Sequence, residues 1–539
     1  MQRREFLATT AFAGTALTLS ARQTVSPDAP ADAPGIQSSA FVLEETTVSD
    51  LRARMKKREI TSEDIVELYL ERIEQIDRQG PALRSVLEIN PDALKIARTL
   101  DAEHRSKGPR SSLHGIPVLL KDNIETADKM RTTAGSLALL NAPTPQDSWV
   151  AERLRAAGAI ILGKTNMSEW ANFRSTHSTS GWSARGGQTK NPYALDRNPS
   201  GSSSGSGVAV SANLCALAVG TETDGSVIGP SSMNGIVGIK PTLGLISRRG
   251  IIPIAHSQDT AGPMARTVRD AAILLGALTG IDPRDGVTQS GGGRVYGDYT
   301  RFLDRRGLKG ARIGIARQYF NIGPTVTAVM QESIDLMRKE GAQIVDPADL
   351  STFEAWRDTE TTVLLYEFKS DLNRYLAGRG GGVRSLADCI AFNRNHRSEE
   401  MPFFQQELME MSQEKGSLDE KEYRDALAAN RRLTRKDGID AVLSKYKLDA
   451  IAGPTAGPAY VTDLVSGDRT DSGCASPPAV SGYPHITVPA GSKFGLPLGI
   501  SFFGAAWSEP KLLKLAYAFE QARNARRKPE FLATVNLYE

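Results

Sequence analysis

A glycine- and serine-rich stretch that leads at once into small apolar residues constrains this chain more than any other feature. The stretch covers residues 200–207, the apolar segment covers residues 208–219, and a second glycine-containing turn follows at residues 220–226. Glycines let a backbone approach other groups closely, and serine hydroxyls are nucleophiles when a base lies beside them. Gly/Ser runs are usually flexible linkers. This run is short and continues directly into an apolar segment, which argues against a linker.

A lysine that directly follows an apolar run lies upstream of this loop. Residues 114–123 read HGIPVLLKDN, so Lys121 directly follows the five apolar residues 116–120. This position is unusual for a surface charge, and the pattern indicates a strand that carries the ammonium inward. Considered alone, Lys121 would be an ordinary lysine in a salt bridge with Asp122.

Three segments resemble the amidase signature family: the HGIP…KD segment, the Gly/Ser-rich loop and the GTETDGS turn at residues 220–226. The resemblance extends from about residue 48 to about residue 522, and residues 163–169, 259–266 and 495–499 are also similar to the family. It implies an α/β fold, a single large domain in which helices cover both faces of a central mixed β-sheet.

The resemblance also implies a Ser-Ser-Lys catalytic triad. Lys121 matches the family's lysine, Ser202 matches the bridging serine that follows a cis peptide bond, and Ser226 matches the nucleophile. Ser203 is the neighbouring loop serine and an expected hydrogen-bond partner. Taken singly, Ser202 would be a turn serine and Ser226 a helix N-cap. The oxyanion hole is expected from the backbone N–H groups of Thr223, Asp224, Gly225 and Ser226.

The turn departs from the family's most common pattern, GTDxGGS. Asp224 stands where a glycine is usual, and Glu222 replaces the usual aspartate. Ile228 takes the place of the usual arginine, so an ion pair between that acid and that arginine is absent. Variants of this kind are most similar to the peptide amidase branch of the family.

The proposed chemistry requires a base for the serine. An amide is a poor electrophile, and a serine hydroxyl attacks it only if its proton is removed. The pKa of lysine must fall from about 10.4 to about 7–8 for this task, and burial among apolar side chains can lower it that far. In the family's mechanism Lys121 takes the proton of Ser202, Ser202 takes that of Ser226, and Ser226 attacks the carbonyl.

These patterns predict a serine hydrolase that cleaves carboxamide bonds through an acyl-enzyme. Similarity to the peptide amidases implies a small-molecule or peptide amide substrate and removal of the C-terminal amide as ammonia. An aryl or aliphatic acylamidase is the alternative. The first residues of the chain predict export, as described next, and an exported protein would be separated from tRNA, which argues against a component of a tRNA amidotransferase. The intact Lys121, Ser202 and Ser226 argue against a non-catalytic binding protein. No cofactor or metal is expected, because the six histidines show no HExxH or other close metal spacing.

The first residues predict export. Arg3 and Arg4 precede a mild apolar run at residues 8–19, which is typical of a Tat-type signal. That run is too short and too rich in Thr and Gly to span a membrane. We expect a signal peptide and flexible spacer over residues 1–39, a catalytic domain over residues 40–539, and a periplasmic or secreted protein. A disordered basic N-terminus is the alternative.

Composition is that of an ordinary soluble enzyme. A formal net charge of +3 argues against a nucleic-acid-binding surface. Cys215, Cys389 and Cys474 are widely spaced, so one pair could form a disulfide in an oxidising compartment and at least one thiol would stay free. The position of Cys215 in an apolar run indicates a buried thiol.

Helical and strand patterns alternate along the chain, which indicates a sheet covered on both faces. Thr61 and Asp64 resemble a capping box at the start of a helix. After the Gly/Ser loop we expect a packed helix at residues 208–214 and a strand at residues 216–220. Residues 352–438 are charged and mostly helical in pattern. In the family such a segment covers one side of the active-site funnel; a solvated insertion is the alternative.

Overall fold

Apolar strands and amphipathic helices alternate along most of the chain, as the sequence pattern predicts. The computed structural model describes residues 41–469 and 473–537, and the unit of residues 42–539 is a single domain. The predicted signal peptide and flexible spacer, residues 1–39, lie outside the described residues. The capping box at Thr61 and Asp64 is present at the start of the second helix.

The strands of the described residues are β1 (Val86–Ile89), β2 (Pro117–Lys121), β3 (Ile160–Thr165), β4 (Trp182–Ser183), β5 (Gly187–Gln188), β6 (Leu217–Glu222), β7 (Val237–Lys240), β8 (Thr260–Ala265), β9 (Arg312–Ile315), β10 (Gln343–Val345), β11 (Ala450–Pro454), β12 (His485–Lys493) and β13 (Leu496–Phe503).

The α-helices of the described residues are α1 (Val48–Lys56), α2 (Ser62–Arg72), α3 (Ala93–Lys107), α4 (Trp149–Ala156), α5 (Ser204–Ser211), α6 (Ile228–Met233), α7 (Val268–Leu278), α8 (Pro324–Lys339), α9 (Arg357–Arg379), α10 (Leu386–Asn395), α11 (Arg397–Glu400), α12 (Glu407–Glu414), α13 (Lys421–Arg431), α14 (Asp440–Tyr446), α15 (Ser476–Ser481) and α16 (Glu509–Arg523).

Eleven of the strands form one sheet, in the order β1-β3-β2-β6-β8-β7-β12-β13-β11-β9-β10. The neighbours β3, β2 and β6 are parallel, as are β11, β9 and β10, and the other pairs are antiparallel. The sheet is therefore mixed, which confirms the predicted fold class, and helices cover it on both faces.

The parallel trio β3-β2-β6 determines where the candidate site lies. Strand β2 ends at Lys121 and its neighbour β6 ends at Glu222. The carboxyl ends of adjacent parallel strands meet at the same edge of a sheet, and ligand sites of open α/β sheets lie outside that edge. The lysine and the second glycine turn are thus brought together although they are far apart in sequence.

Helix α5 is completely buried and packs against β2, β3, β6 and β8. A Cβ at Gly205 would lie 2.3 Å from the Ser85 carbonyl oxygen, so only glycine allows this close approach. The helix begins at Ser204, earlier than the predicted start at residue 208. The serine loop itself supplies the first turn, where the Ser204 hydroxyl donates to the Ser200 carbonyl at 2.6 Å.

The segment at residues 352–438 is mostly helical, as expected, and its long helix α9 ends at the glycine-rich break. This insertion is not a solvated appendage. Buried side chains of α9, among them Phe368 and Leu372, share one apolar core with Trp170, Phe173 and Ile254 of the main body. The insertion therefore forms a fixed wall of the domain.

The three cysteines are all buried and all free thiols. None of them forms the disulfide that the sequence left open. Burial raises the pKa of the Cys215 thiol to about 12, so it stays protonated inside the core.

Candidate active site

Lys121 ends strand β2, and its whole side chain is buried. Its Nζ donates to the Ser202 hydroxyl at 2.7 Å and to the carbonyl and hydroxyl oxygens of Thr221 at 3.1 and 2.9 Å. The salt bridge with Asp122 that the sequence also allowed is not formed. Asp122 accepts instead from Arg185 at 2.9 Å.

Burial of this lysine controls its protonation. Removal of the ammonium from water lowers the pKa of Lys121 to about 7, while the negative charges of Glu222 and Asp259 oppose that shift. A lysine with this pKa is substantially neutral near pH 7 and can accept a proton. The sequence-based expectation of a depressed pKa is thus supported by the geometry.

Thr221 organises the groups around the lysine. Its hydroxyl also accepts from the Asn123 side-chain amide at 2.9 Å. Its backbone forms a reciprocal pair with Ser203, whose hydroxyl donates to Thr221 O at 3.0 Å and accepts from Thr221 N–H at 3.2 Å. Ser203 is therefore a partner in hydrogen bonding, as predicted, and it joins the serine loop to β6.

The three predicted catalytic residues differ in exposure. Lys121 and Ser202 have no exposed surface, whereas Ser226 is 7% exposed. The peptide bond between Gly201 and Ser202 is cis, as the resemblance implies. The backbone N–H of Ser203 donates to Ser226 O at 3.1 Å, which fixes the two loops to each other. Among the described residues, the Ser226 hydroxyl has no hydrogen-bond partner.

The turn before Ser226 presents unused hydrogen-bond donors. No backbone N–H group from residue 223 to residue 226 donates a hydrogen bond to another residue within the described ranges. Gly225 has a φ of +73°, which favours glycine, and only the Ala475 methyl lies within 4 Å of a Cβ built there. Free N–H groups beside open space are what an oxyanion requires.

Glu222 fills a role that the sequence pattern did not predict. Its carboxylate accepts from the N–H groups of Val227 at 2.7 Å and Ile228 at 3.0 Å, so it caps the helix α6 that follows Ser226. The cap is therefore not Ser226, whose N-cap interpretation fails. Burial raises the pKa of the Glu222 carboxyl, while the positive charge of the buried Lys240 and the N–H groups of Val227 and Ile228 oppose that rise.

The other end of the turn is held by a neighbouring loop. The Thr223 hydroxyl donates to Asp259 Oδ1 at 2.6 Å, and Asp259 Oδ2 accepts from the N–H groups of Ile254 and Ala255 at 2.9 and 3.0 Å. The side-chain amide of Gln258 donates to Thr223 O at 3.2 Å. These bonds fix the backbone that carries the free N–H groups.

A cavity of about 450 Å³ opens beside this turn. The serine loop and the turn at residues 220–226 contribute Gly201, Asp224 and Gly225 to its wall. The insertion contributes residues 353–360 in part, and the turn after Gly453 contributes Thr455, Ala456 and Tyr460. The helical insertion therefore forms one part of the cavity wall, and residues 473–477 form a further part of it.

One cluster in the described part of the chain has the proximity that metal ligands need. It consists of His256, Glu367 and Asp371. These side chains are occupied by bonds within the protein: His256 Nδ1 lies 2.8 Å from Asp371 Oδ2, and Glu367 accepts from Ser257 N–H at 2.9 Å. We therefore interpret the cluster as a contact between the insertion and the main body.

Comparison with known proteins decides the family. The family model described as Amidase matches residues 64–513. The chain belongs to the amidase signature family. It is 44% identical to a probable amidase of Arabidopsis thaliana over 92% of this chain and 93% of that protein.

Among solved structures, the native peptide amidase of Stenotrophomonas maltophilia is 50% identical to this amidase. The TM-score is 0.87, and the match covers 91% of this chain and 99% of that one. An amidase family protein of Bacillus anthracis is 36% identical, with a TM-score of 0.82 and coverage of 90% and 92%. This amidase is thus a hydrolase of C–N amide bonds that is similar to a bacterial peptide amidase over nearly its whole length.

Several site residues of this amidase escaped the sequence analysis. Thr221 and Glu222 lie inside the GTETDGS turn, so their presence in the motif was the available signal. Gln258 and Asp259 hold the turn from outside, and no spacing along the chain indicates that contact. In the described ranges, no helix combines the length and the apolar composition needed to span a membrane.

Proposed function

We propose that this amidase hydrolyses the C-terminal carboxamide of peptides through an acyl-enzyme on Ser226, with release of ammonia. The observation that carries the proposal is the buried Lys121 amine, 2.7 Å from the Ser202 hydroxyl. A neutral amine in this contact makes Ser202 a relay between the base and the partly exposed Ser226.

The first step is attack on the amide. Ser226 Oγ forms a bond to the carbonyl carbon while its proton passes to Ser202, whose own proton passes to Lys121. The Ser226 hydroxyl is unpaired among the residues that the structure describes, so this transfer requires the Ser202 and Ser226 hydroxyls to form a hydrogen bond when substrate binds, as catalytic groups often do only in the complex. The carbonyl oxygen becomes an anion within reach of the free N–H groups at residues 223–226. Each such donor contributes about 3–4 kcal/mol to the transition state.

The second step breaks the C–N bond. The proton held by Lys121 returns through Ser202 to the departing nitrogen, so ammonia leaves and an ester remains on Ser226. Water then attacks the ester, giving a proton to the same relay, and Ser226 takes that proton back as the acid is released. The cycle consumes one water and needs no other reactant.

Two observations support a peptide amide as the substrate. The first is the 50% identity to a peptide amidase over nearly the whole chain. The second is the cavity, whose volume lies within the range of sites for small molecules. Its wall combines aromatic rings, such as Trp356 and Tyr460, with polar groups that suit a peptide backbone. A role in a tRNA amidotransferase is disfavoured, because an exported protein would be separated from tRNA.

Ammonia release tests the proposal. Purified protein and the Ser226→Ala variant are incubated with N-acylated dipeptide amides and, in parallel, with p-nitroanilides of the same acyl groups. We expect ammonia from the peptide amides with the unmutated protein alone. Faster turnover of the anilides would favour an acylamidase, and no turnover of either substrate class would refute the hydrolase mechanism on Ser226.

We also propose export by the Tat route, on the basis of the twin arginines at residues 3 and 4. Fractionation of a bacterial host that expresses the full chain tests it. We expect activity in the periplasm or medium, and Arg3→Lys with Arg4→Lys should retain the protein in the cytoplasm. Equal export of that double variant would contradict the proposal.

A further inference from the structure

Three acidic side chains of helix α9 face a single loop of the main body. Glu360, Glu367 and Asp371 lie at positions i, i+7 and i+11, which fall on one face of a helix. All three are buried. A row of buried carboxylates needs donors opposite it, and the facing loop supplies them.

Each acid binds a different one of three consecutive loop residues. Asp371 accepts from the His256 N–H at 3.0 Å, Glu367 accepts from the Ser257 N–H at 2.9 Å, and Glu360 accepts from the Gln258 side-chain amide at 3.0 Å. The insertion thus fixes this loop at three successive points.

Glu360 differs from the other two because it also reaches the turn before the nucleophile. Gln258 binds Glu360 and the Thr223 carbonyl with the same nitrogen. In addition, Glu360 and Asp224 both lie in the wall of the cavity, and the negative charge of Asp224 raises the pKa of the Glu360 carboxyl. Asp224 is the residue that replaces the family's usual glycine, and this interaction gives the replacement a structural role.

We propose that Glu360 is a positioning residue for the oxyanion turn: from the helical insertion it holds Thr223 and Asp224 so that their N–H groups face the reacting carbonyl. The inference rests on the proposed role of Ser226 and this turn. It makes the insertion part of the catalytic apparatus as well as a wall of the cavity.

Two buried carboxyl groups this close to each other favour a proton on one of them, since two carboxylates would repel each other. Burial raises the pKa of Glu360 well above its usual range, and the charge of Asp224 adds to the effect. Burial also raises the pKa of Asp224, while the Ser476 hydroxyl, Lys240 and Arg357 oppose it. This proton is therefore present at low pH and is lost as the pH rises through these raised values.

Loss of the proton from the Glu360–Asp224 pair should cause a fall in activity at high pH. Glutamine at position 360 would keep both interactions at every pH, because its amide nitrogen can donate to Asp224 and its oxygen can accept from Gln258. Glu360→Gln should therefore remove this alkaline fall or move it upward by at least one pH unit. Alanine would remove both interactions.

The test compares Glu360→Ala, Glu360→Gln and the control Glu367→Ala, which loses a buried acid of the same helix face without touching the turn. For Glu360→Ala we expect kcat for a peptide amide to fall about 10- to 100-fold with KM within threefold, since loss of an oxyanion donor costs about 10²–10³. Inhibition by a peptide aldehyde, whose adduct carries the same oxyanion, should weaken by a matching factor. Glu367→Ala should change kcat less than threefold.

Native kcat and aldehyde affinity in Glu360→Ala would overturn the inference, as would an effect confined to KM, which would mark Glu360 as a substrate contact. If the alanine variant does not fold, the glutamine variant still decides, because an unchanged alkaline fall would overturn the inference. An active Ser226→Ala would instead refute the proposed function itself. An inactive Ser226→Ala together with unaffected Glu360 variants would refute only the positioning role.

Discussion

Lys121 and Lys164 lie on adjacent parallel strands, and both are completely buried, yet they serve different regions of the molecule. Lys164 pairs in register with Leu120, so the two lysines point to opposite faces of the sheet. The Lys121 amine contacts the Ser202 hydroxyl at the edge of the active site. The Lys164 amine donates to the Ile124 carbonyl at 2.5 Å and to the Thr132 hydroxyl at 2.7 Å.

The difference teaches that a lowered pKa does not by itself make a base. Burial lowers the pKa of Lys121 to about 7 and that of Lys164 to about 8. The two values are close, but only Lys121 contacts a hydroxyl that leads to a partly exposed serine. Lys164 fastens the loop that follows β2. Function therefore depends on the neighbour of the amine more than on its acidity.

The largest loss of activity is expected from substitution of Ser226, which lies at the exposed end of the Lys121 site. Ser226→Ala should lower kcat by about 10⁴-fold or more, because the covalent bond cannot form. It should also abolish labelling by a serine-directed fluorophosphonate. Ser202→Ala should slow both reactions yet leave a slow label on Ser226, since water can partly replace the relay hydroxyl. Peptide mapping of the adduct checks the assignment, and an adduct on Ser202 in the unmutated protein would reverse it.

Exchange of each lysine for methionine separates the two regions directly. Lys121→Met should lower kcat/KM by about 10³-fold through loss of the general base. Lys164→Met removes a lysine of similar burial and similar pKa but should cost less than about tenfold, because its contacts are structural. Steady-state kinetics on a peptide amide measures both. Equal losses in the two variants would erase the distinction between the regions.

The two substitutions should affect stability in the opposite way: Lys121→Met should stabilise the fold, and Lys164→Met should destabilise it. The pKa of Lys121 is lower in the folded state, so the folded state disfavours its proton and stability rises with pH between about 7 and 10. Lys121→Met removes the cost of burying the ammonium, so the free energy of unfolding should rise by about 1–2 kcal/mol near pH 6. Thr221 stays satisfied in this variant, because Asn123 and Ser203 still donate to it.

Lys164→Met should lower the free energy of unfolding by about 1–3 kcal/mol, since the Ile124 carbonyl loses its closest hydrogen-bond donor. Calorimetry of both variants near pH 6 and again near pH 9 checks the signs, and the gain of Lys121→Met should shrink at the higher pH. A destabilised Lys121→Met would mean that the amine contributes more to the fold than its burial costs.

Short-range patterns of the sequence were enough to predict much of the fold. The run before Lys121 predicted an inward-facing strand end, and β2 confirms it. The start of α5 was predicted too late, because serine and glycine in residues 200–207 resemble a loop although they form its first turn. Strand β6 extends past Gly220 to Glu222, where pairing with Thr260 of β8 sustains it. That partner is distant in sequence and gives no local signal.

The candidate site, like the fold, was predicted only in part from the sequence. Motifs identified Lys121, Ser202 and Ser226, and the departures at Glu222 and Asp224 were visible as departures. The consequences of these departures were not visible, since they depend on electrostatic interactions with Lys240 and Glu360 that only the folded chain creates. Local residues thus indicate the chemistry, while the surrounding charges come from the tertiary structure.

The most direct test of Lys121 as the neutral base is the pH dependence of Ser226 labelling by a fluorophosphonate, from about pH 5 to about pH 8. Below a midpoint near pH 7, the rate constant should fall about tenfold per pH unit as Lys121 takes up its proton. Lys164→Met should keep that midpoint, and Lys121→Met should lose it. A rate constant that stays flat over this range, or an unchanged midpoint in Lys121→Met, would contradict the account.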